Sequence, residues 1–120
     1  MGEIKTFKDI VVWQKSHNLA LTVYELTDIF PKSELFGLIS QMRRAAVSIP
    51  SNIAEGFTRK NLKDRMHFYN IAQSSLEELK YQLLLAKDLR YITEEKYMSS
   101  LALAEEVGAM LHGWKKSQKF

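Results

Sequence analysis

Cysteine is absent from the 120 residues, which removes disulfide frameworks, cysteine-ligated zinc, iron–sulfur clusters and thiol nucleophiles together. A reducing, cytoplasmic setting is the expectation. Long apolar runs are missing too: MGEIKTFKDI has no signal-peptide core, and no stretch approaches the roughly 20 apolar residues of a membrane span. Proline and glycine are scarce, at two and five. With Leu, Ala, Glu, Lys and Met plentiful, that scarcity is the composition of a helical chain. The formal net charge is only +3, which permits contact with a polyanion without requiring it. No linker, repeat or low-complexity segment divides residues 1–120, so one domain is expected, large enough for its own core.

Apolar spacing then organises the chain into four helices. From about Asp9 to Phe30, Val12, Leu19, Val23, Leu26 and Phe30 share one row and Trp13, Ala20, Tyr24 and Thr27 the next. Pro31 ends this segment, and Ser33 is the expected cap of the second. Between Glu34 and Arg59, one face holds Leu38, Met42, Ala46, Ile49, Ile53 and Phe57. Asn61 caps a third helix, with Asp64 three residues on. Its seam runs Phe68, Ile71, Ala72, Ser75, Leu76, Leu79, Leu83 and Ala86, in alternating steps of three and four. After a corner at Arg90–Thr93, Thr93 caps a fourth helix with Glu94 and Glu95 in its first turn. That helix carries Tyr97, Leu101, Ala104 and Leu111 beside Leu103, Val107, Met110 and Trp114. Short connections between four such helices predict an all-α, antiparallel up-down-up-down bundle.

The patterns of common enzymes are missing. No Glu-x-x-His supplies a di-iron site, and His17, His67 and His112 stand singly on three helices. No Gly-x-Ser-x-Gly or phosphate-cradling loop occurs. Arg59 and Arg65 precede His67 at the wrong distances for helical ribonucleases that pair an arginine with a histidine. Glu77 and Glu78 are adjacent on one helix and so diverge rather than converge on one bond. A non-enzymatic protein with no cofactor and no metal is expected.

The most unusual stretch is RRAAVSIPSNIAEG, Arg43 to Gly56. Gln41, Arg44, Ser48, Asn52, Glu55 and Arg59 form one polar stripe, and Arg43, Val47, Pro50 and Ala54 a second row on the opposite flank. A solvated face favours Lys, Glu and Gln, whereas Ser48, Ser51 and Asn52 are poorer helix formers that suit close approach of another backbone. Pro50 removes one helical hydrogen bond and crowds the carbonyl of Ala46, so a second helix kinked at Pro50 is expected. Ser48, Ser51 or Asn52 could satisfy a freed backbone group.

VWQKSHNLALTVYELTDIFPKSELFGLISQMRRAAVSIPSNIAEGFTR, with FYNIAQSSLEELKYQLLLAKDL after it, resembles the bacterial four-helix bundle family first noticed as reading frames in intervening sequences of 23S ribosomal RNA genes. The likeness spans about Phe7 to Ile92 and is most specific in the block from Gln41 to Gly56. It implies antiparallel bundles, several of which form ring-like pentamers. It also implies kinship with the accessory variability protein of diversity-generating retroelements, a basic pentamer that binds nucleic acid and the reverse transcriptase. By this resemblance Gln41, Arg43, Arg44, Ser48, Pro50, Asn52, Glu55 and Gly56 are the signature and assembly residues.

Two functions follow as expectations. One is a homo-oligomer that binds RNA or DNA through Arg43, Arg44, Arg59, Lys60, Lys63, Arg65, Lys115, Lys116 and Lys119, with basic surface multiplied by assembly. The other is a protein-interaction adaptor or assembly scaffold, in which Arg43 and Arg44 clamp helices or subunits and a protein is the partner.

Overall fold

A computed structural model describes residues 2–119. Its helices are α1 (Val11–Thr27), α2 (Leu38–Thr58), α3 (Leu62–Asp88) and α4 (Glu94–Ser117), with short 3-10 turns at Phe7–Asp9 and Lys32–Glu34. Among the described residues there is no strand. Each helix packs on its neighbours in sequence, and α4 closes against α1. Pairings along α2 and α3 show their course: Ser48 meets Ser75, and eight residues further along α2, Gly56 meets Tyr69. The enclosed core includes Leu19, Val23, Met42, Ile49, Ile53, Leu76, Leu79, Leu83, Val107 and Leu111. No helix among the described residues is long and apolar enough to cross a membrane.

The helical limits follow local chemistry. Helix α1 stops at Thr27, earlier than the apolar pattern suggests. The Thr27 hydroxyl donates back to the Val23 carbonyl at 2.8 Å, and Phe30 turns inward to meet the Tyr91 ring at 5.2 Å. Ser33 does not cap α2. It lies in the 3-10 turn, the helix begins five residues later at Leu38 after Gly37, and the Glu34 carboxylate accepts from the Leu38 N–H at 3.1 Å. An anion at that position also suits the positive end of the helix dipole. The expected caps Asn61 and Thr93 are in place, accepting from Asp64 N–H at 2.9 Å and Lys96 N–H at 3.1 Å. Pro50 sits inside α2, whose helical run from Leu38 to Thr58 is unbroken.

The α3–α4 corner closes by a device that the sequence hides. Tyr91 N–H donates to Ala86 O and Arg90 N–H to Lys87 O, both at 2.9 Å, which is the Schellman pattern of a helix end. Its left-handed position, usually glycine, holds Arg90 with φ 64°. Tyr91 then reaches across the bundle end and donates its hydroxyl to Glu34 at 2.7 Å, tying the α1–α2 connection to this corner.

Packing of α3 departs from the expected seam in its first half. Ile71 is exposed and Phe68 only half-buried, while Tyr69 is fully buried. Gly56 is the reason. A Cβ there would lie 2.5 Å from Tyr69 Cε1, so the missing side chain makes the space that the ring fills. Burial pushes the Tyr69 phenol above its ordinary pKa. In α4, Ala104, Val107 and Leu111 are buried, and Tyr97, Leu101, Leu103, Met110 and Trp114 are half-buried at the margin.

Two outcomes follow. Gly56→Ala adds helix propensity worth about 1 kcal/mol but overpacks against a fully buried ring, which costs roughly 1–3 kcal/mol. Denaturant unfolding of the variant should therefore show a net loss of stability, and equal or greater stability would refute the space-making role. The hydrogen bond from Tyr91, with that from Leu38 N–H, holds the Glu34 carboxyl below its usual 4.5. A depressed carboxyl stabilises the fold fully above its unfolded value and loses that contribution as pH falls through the folded value. Tyr91→Phe should lower stability at neutral pH and flatten its decline below about pH 4.5, as read by circular dichroism melts across that range.

Candidate functional site

The signature stretch divides into two rows with different partners. On the row facing α3, the Ser48 and Ser75 hydroxyls are 2.8 Å apart. Asn52 donates its Nδ2 to the Ser48 carbonyl at 2.7 Å and to Ser48 Oγ at 3.0 Å. The small polar residues therefore join α2 to α3 and serve each other. Glu55 accepts from Arg59 at 2.9 Å one turn further on, an exposed pair worth about 0.3–0.5 kcal/mol. Gln41 and Arg44 are exposed at the far end of the row.

The other row faces α1. Arg43 donates Nε to Thr27 Oγ1 at 2.9 Å and Nη2 to the Tyr24 carbonyl at 3.4 Å, with its guanidinium 4.5 Å from the Tyr24 ring centre. It thus answers the last turn of α1, where the negative end of the dipole favours a cation. Val47, Pro50 and Ala54 continue the row and form one wall of an apolar groove whose other wall is α1. Arg44, one residue along, makes no side-chain hydrogen bond or ion pair among the described residues.

Most of the expected basic residues gather at the opposite end of α2. Arg59 and Lys60 lie in the connection to α3, and Lys63 and Arg65 in the first turn of α3. Arg65 fastens this corner to α4. It donates to Arg59 O at 2.8 Å, to Phe57 O at 3.2 Å and to Gln118 Oε1 at 2.9 Å. That last bond brings Lys115, Lys116 and Lys119, around the end of α4, to the same end of the bundle. Lys115 donates to Gln73 at 2.6 Å, and Arg59 lies 4.7 Å from the Phe68 ring centre. The side chains of Lys60, Lys63, Lys116 and Lys119 are exposed, with no ion pair or hydrogen bond among the described residues. Arg44 stands fourteen residues from Thr58, the last residue of α2, about 21 Å away at 1.5 Å per residue. The nine expected basic residues thus do not form one surface.

Sequence reasoning missed part of this end. Ile4, Val11, Gly113 and Ser117 line a common depression, which places the N-terminal turn, and with it Lys5 and Lys8, beside the last turns of α4. Nothing in the local pattern of Lys5 or Lys8 points there, because the contact is between opposite ends of the chain. The structural partners Thr27, Ser75 and Gln118 were equally invisible, since each is named only by tertiary packing. His17 stacks on Trp13, with ring centres 5.1 Å apart, and His67 and His112 are exposed. Among the described residues no group of three His, Cys, Asp or Glu side chains could hold a metal ion.

With this geometry in view, comparison with known proteins is specific. The family model of the 23S rRNA-intervening sequence protein matches residues 8–113. A crystal structure of a protein of unknown function from the S23 ribosomal protein family of Bacteroides thetaiotaomicron VPI-5482 superposes with a TM-score of 0.83. It is 30% identical, over 92% of this chain and 99% of that one. No curated protein sequence matches. The matched span takes in all of α1, α2 and α3 and most of α4, including the Ser48–Asn52 row and Gly56: the chain belongs to the 23S rRNA-intervening sequence protein family.

Proposed function

We propose that the chain is a cytoplasmic, non-enzymatic, homo-oligomeric module that binds RNA or DNA through the basic end of its bundle. One observation carries this reading: Lys60, Lys63, Lys116 and Lys119, drawn from two separate segments, lie at one end with exposed side chains and no ion pair or hydrogen bond among the described residues. Lys5 and Lys8 extend the same end. Exposed ammonium groups suit a phosphate backbone, which is recognised by charge rather than by sequence. Each chain adds only a modest charge of +3, so assembly is what would raise the local potential. A pentamer, the assembly that the family resemblance implies, would display five such ends.

A mobility-shift titration over increasing salt tests the reading. Counterion release gives a log–log slope of about −0.9 for each phosphate neutralised on duplex DNA. Lys60→Ala, Lys63→Ala and Lys116→Ala together should weaken binding and reduce the slope by about 2–3, with helicity and mass unchanged. Absence of binding at low salt, or affinity indifferent to salt, would overturn it.

The scaffold reading draws on a different observation, the internal engagement of Arg43 and of the Ser48–Asn52–Ser75 bonds. Those side chains hold helices, as an adaptor with a protein partner would require of its frame. Arg43→Ala removes charge-assisted bonds and should cost about 1–3 kcal/mol of stability in chemical unfolding. Nucleic-acid affinity of the folded variant should stay within twofold of the parent. A larger loss of affinity without loss of stability would return Arg43 to the contact surface.

A further inference from the structure

Between α1 and α2, Trp13, Leu21, Tyr24, Val47, Pro50 and Ala54 line an apolar groove of about 430 Å³. Sites for small molecules are typically clefts of about 300–1,000 Å³ with mostly apolar walls and a few placed polar groups. The groove is held in shape at one end, because Trp13 is stacked on His17 at 5.1 Å and met edge-on by Phe7 at 4.8 Å. The flat ring of Pro50 and the short side chain of Ala54 leave it unfilled. Leu21 on α1 and Val47 on α2 are 51% and 41% exposed.

The apolar walls lead to a polar end. Tyr24, Val47 and Ser51 also line the depression that continues along α2, where Ser40 and Arg44 take the place of apolar side chains. Ser40, Arg44, Val47 and Ser51 follow one another at steps of four, three and four, so they stand on one ridge of the helix. The side chains of Ser40, Arg44 and Ser51 make no hydrogen bond or ion pair among the described residues, and neither lining contains an Asp or Glu. Arg43, the other cation here, is committed to Thr27 and the Tyr24 carbonyl. From Ala54 to Arg44 the groove follows ten residues of α2, about 15 Å, which favours a long and narrow occupant.

We propose that the α1–α2 groove binds an amphipathic monocarboxylate, a free fatty acid of medium chain length, with its chain along Leu21, Val47, Pro50 and Ala54 and its carboxylate on Arg44. The planar fork of an arginine matches a carboxylate with two parallel hydrogen bonds, and Ser40 and Ser51 on the same ridge are further donors. The apolar walls offer a peptide backbone no side-chain partner other than His17 and Ser51, whereas an alkyl chain needs none. A neutral chain would leave the Arg44 charge unanswered, and a cationic one would be repelled by Arg43 and Arg44 together. The site stands apart from the basic end, since Arg44 lies at the other end of α2 from Lys60.

Isothermal titration calorimetry of the intact chain with hexanoate, octanoate and decanoate, each below its micelle concentration, tests the site. Affinity should rise with every added methylene, by up to about fourfold. Decyltrimethylammonium, with the same chain and the opposite charge, should bind about tenfold more weakly than decanoate or worse. Arg44→Gln should weaken decanoate about tenfold or more and leave decanol unchanged. Val47→Glu, at an exposed position, should weaken decanoate by setting an anion beside its path, and Ser51→Glu replaces it if circular dichroism shows that it does not fold. Undetectable decanoate binding, equal affinity for the cationic chain, or an Arg44→Gln variant that binds decanoate as the parent does would each overturn the site. Binding of an acidic peptide with no binding of decanoate would overturn it as well.

Discussion

The distance between α2 and α3 governs the rest of the bundle. At Gly56 the α2 backbone lies so close to the Tyr69 ring that no Cβ fits, and two turns earlier Ser48 and Ser75 touch through their hydroxyls. Larger side chains at either point would push the helices apart and open the core that Met42, Ile49, Ile53, Leu76 and Leu79 fill, with loss of dispersion contacts along the whole interface. The poor helix formers of α2 are therefore a packing requirement. Ser48 and Asn52 give up intrinsic propensity and recover it in bonds to α3 and to each other, while Pro50 lies on the α1 side, where a flat ring lines the groove.

How much of this was legible depends on how local the cause is. Period and capping are local: the rows of α1 and α2 and the Asn61 and Thr93 caps could be read directly, because side-chain spacing and short-range oxygen acceptors decide them. The start of α2 could not. Ser33 has the better capping chemistry, but Glu34 is held by Tyr91, 57 residues away, and that anchored carboxylate fixes where the helix begins. The first half of the α3 seam failed for a similar reason. Phe68, Tyr69 and Ile71 are all apolar enough to be inside, and only the gap left by Gly56 on another helix selects Tyr69. Arg90 in the left-handed position gives no glycine signal at all, since the buried Ile92 and the Tyr91 bond hold the corner.

The candidate site was legible in its residue types and not in their roles. Arg43 and Arg44 are neighbours of identical chemistry, and a helical wheel separates their directions without saying what each meets. The end of α1 decides it, by presenting Thr27 Oγ1 and the Tyr24 carbonyl to Arg43 alone. Arg65 is likewise drawn inward by Phe57, Arg59 and Gln118. In both cases a planar, multiply donating guanidinium answers backbone carbonyls at a helix end.

A division of labour among the cations follows from that preference. Arg43 and Arg65, with fixed forks of donors, are bound into the frame at helix ends. The lysines at the α2–α3 corner and the end of α4, with single flexible ammonium groups, are mostly left in solvent. Lys115 and Lys116 still favour the negative end of α4, so part of the basic end has a structural origin whatever it binds. Lys60 and Lys63 do not share that origin: they flank the positive start of α3, where the dipole disfavours cations. Their placement works against local helix electrostatics, and the Asp64 carboxylate in the same first turn offsets it.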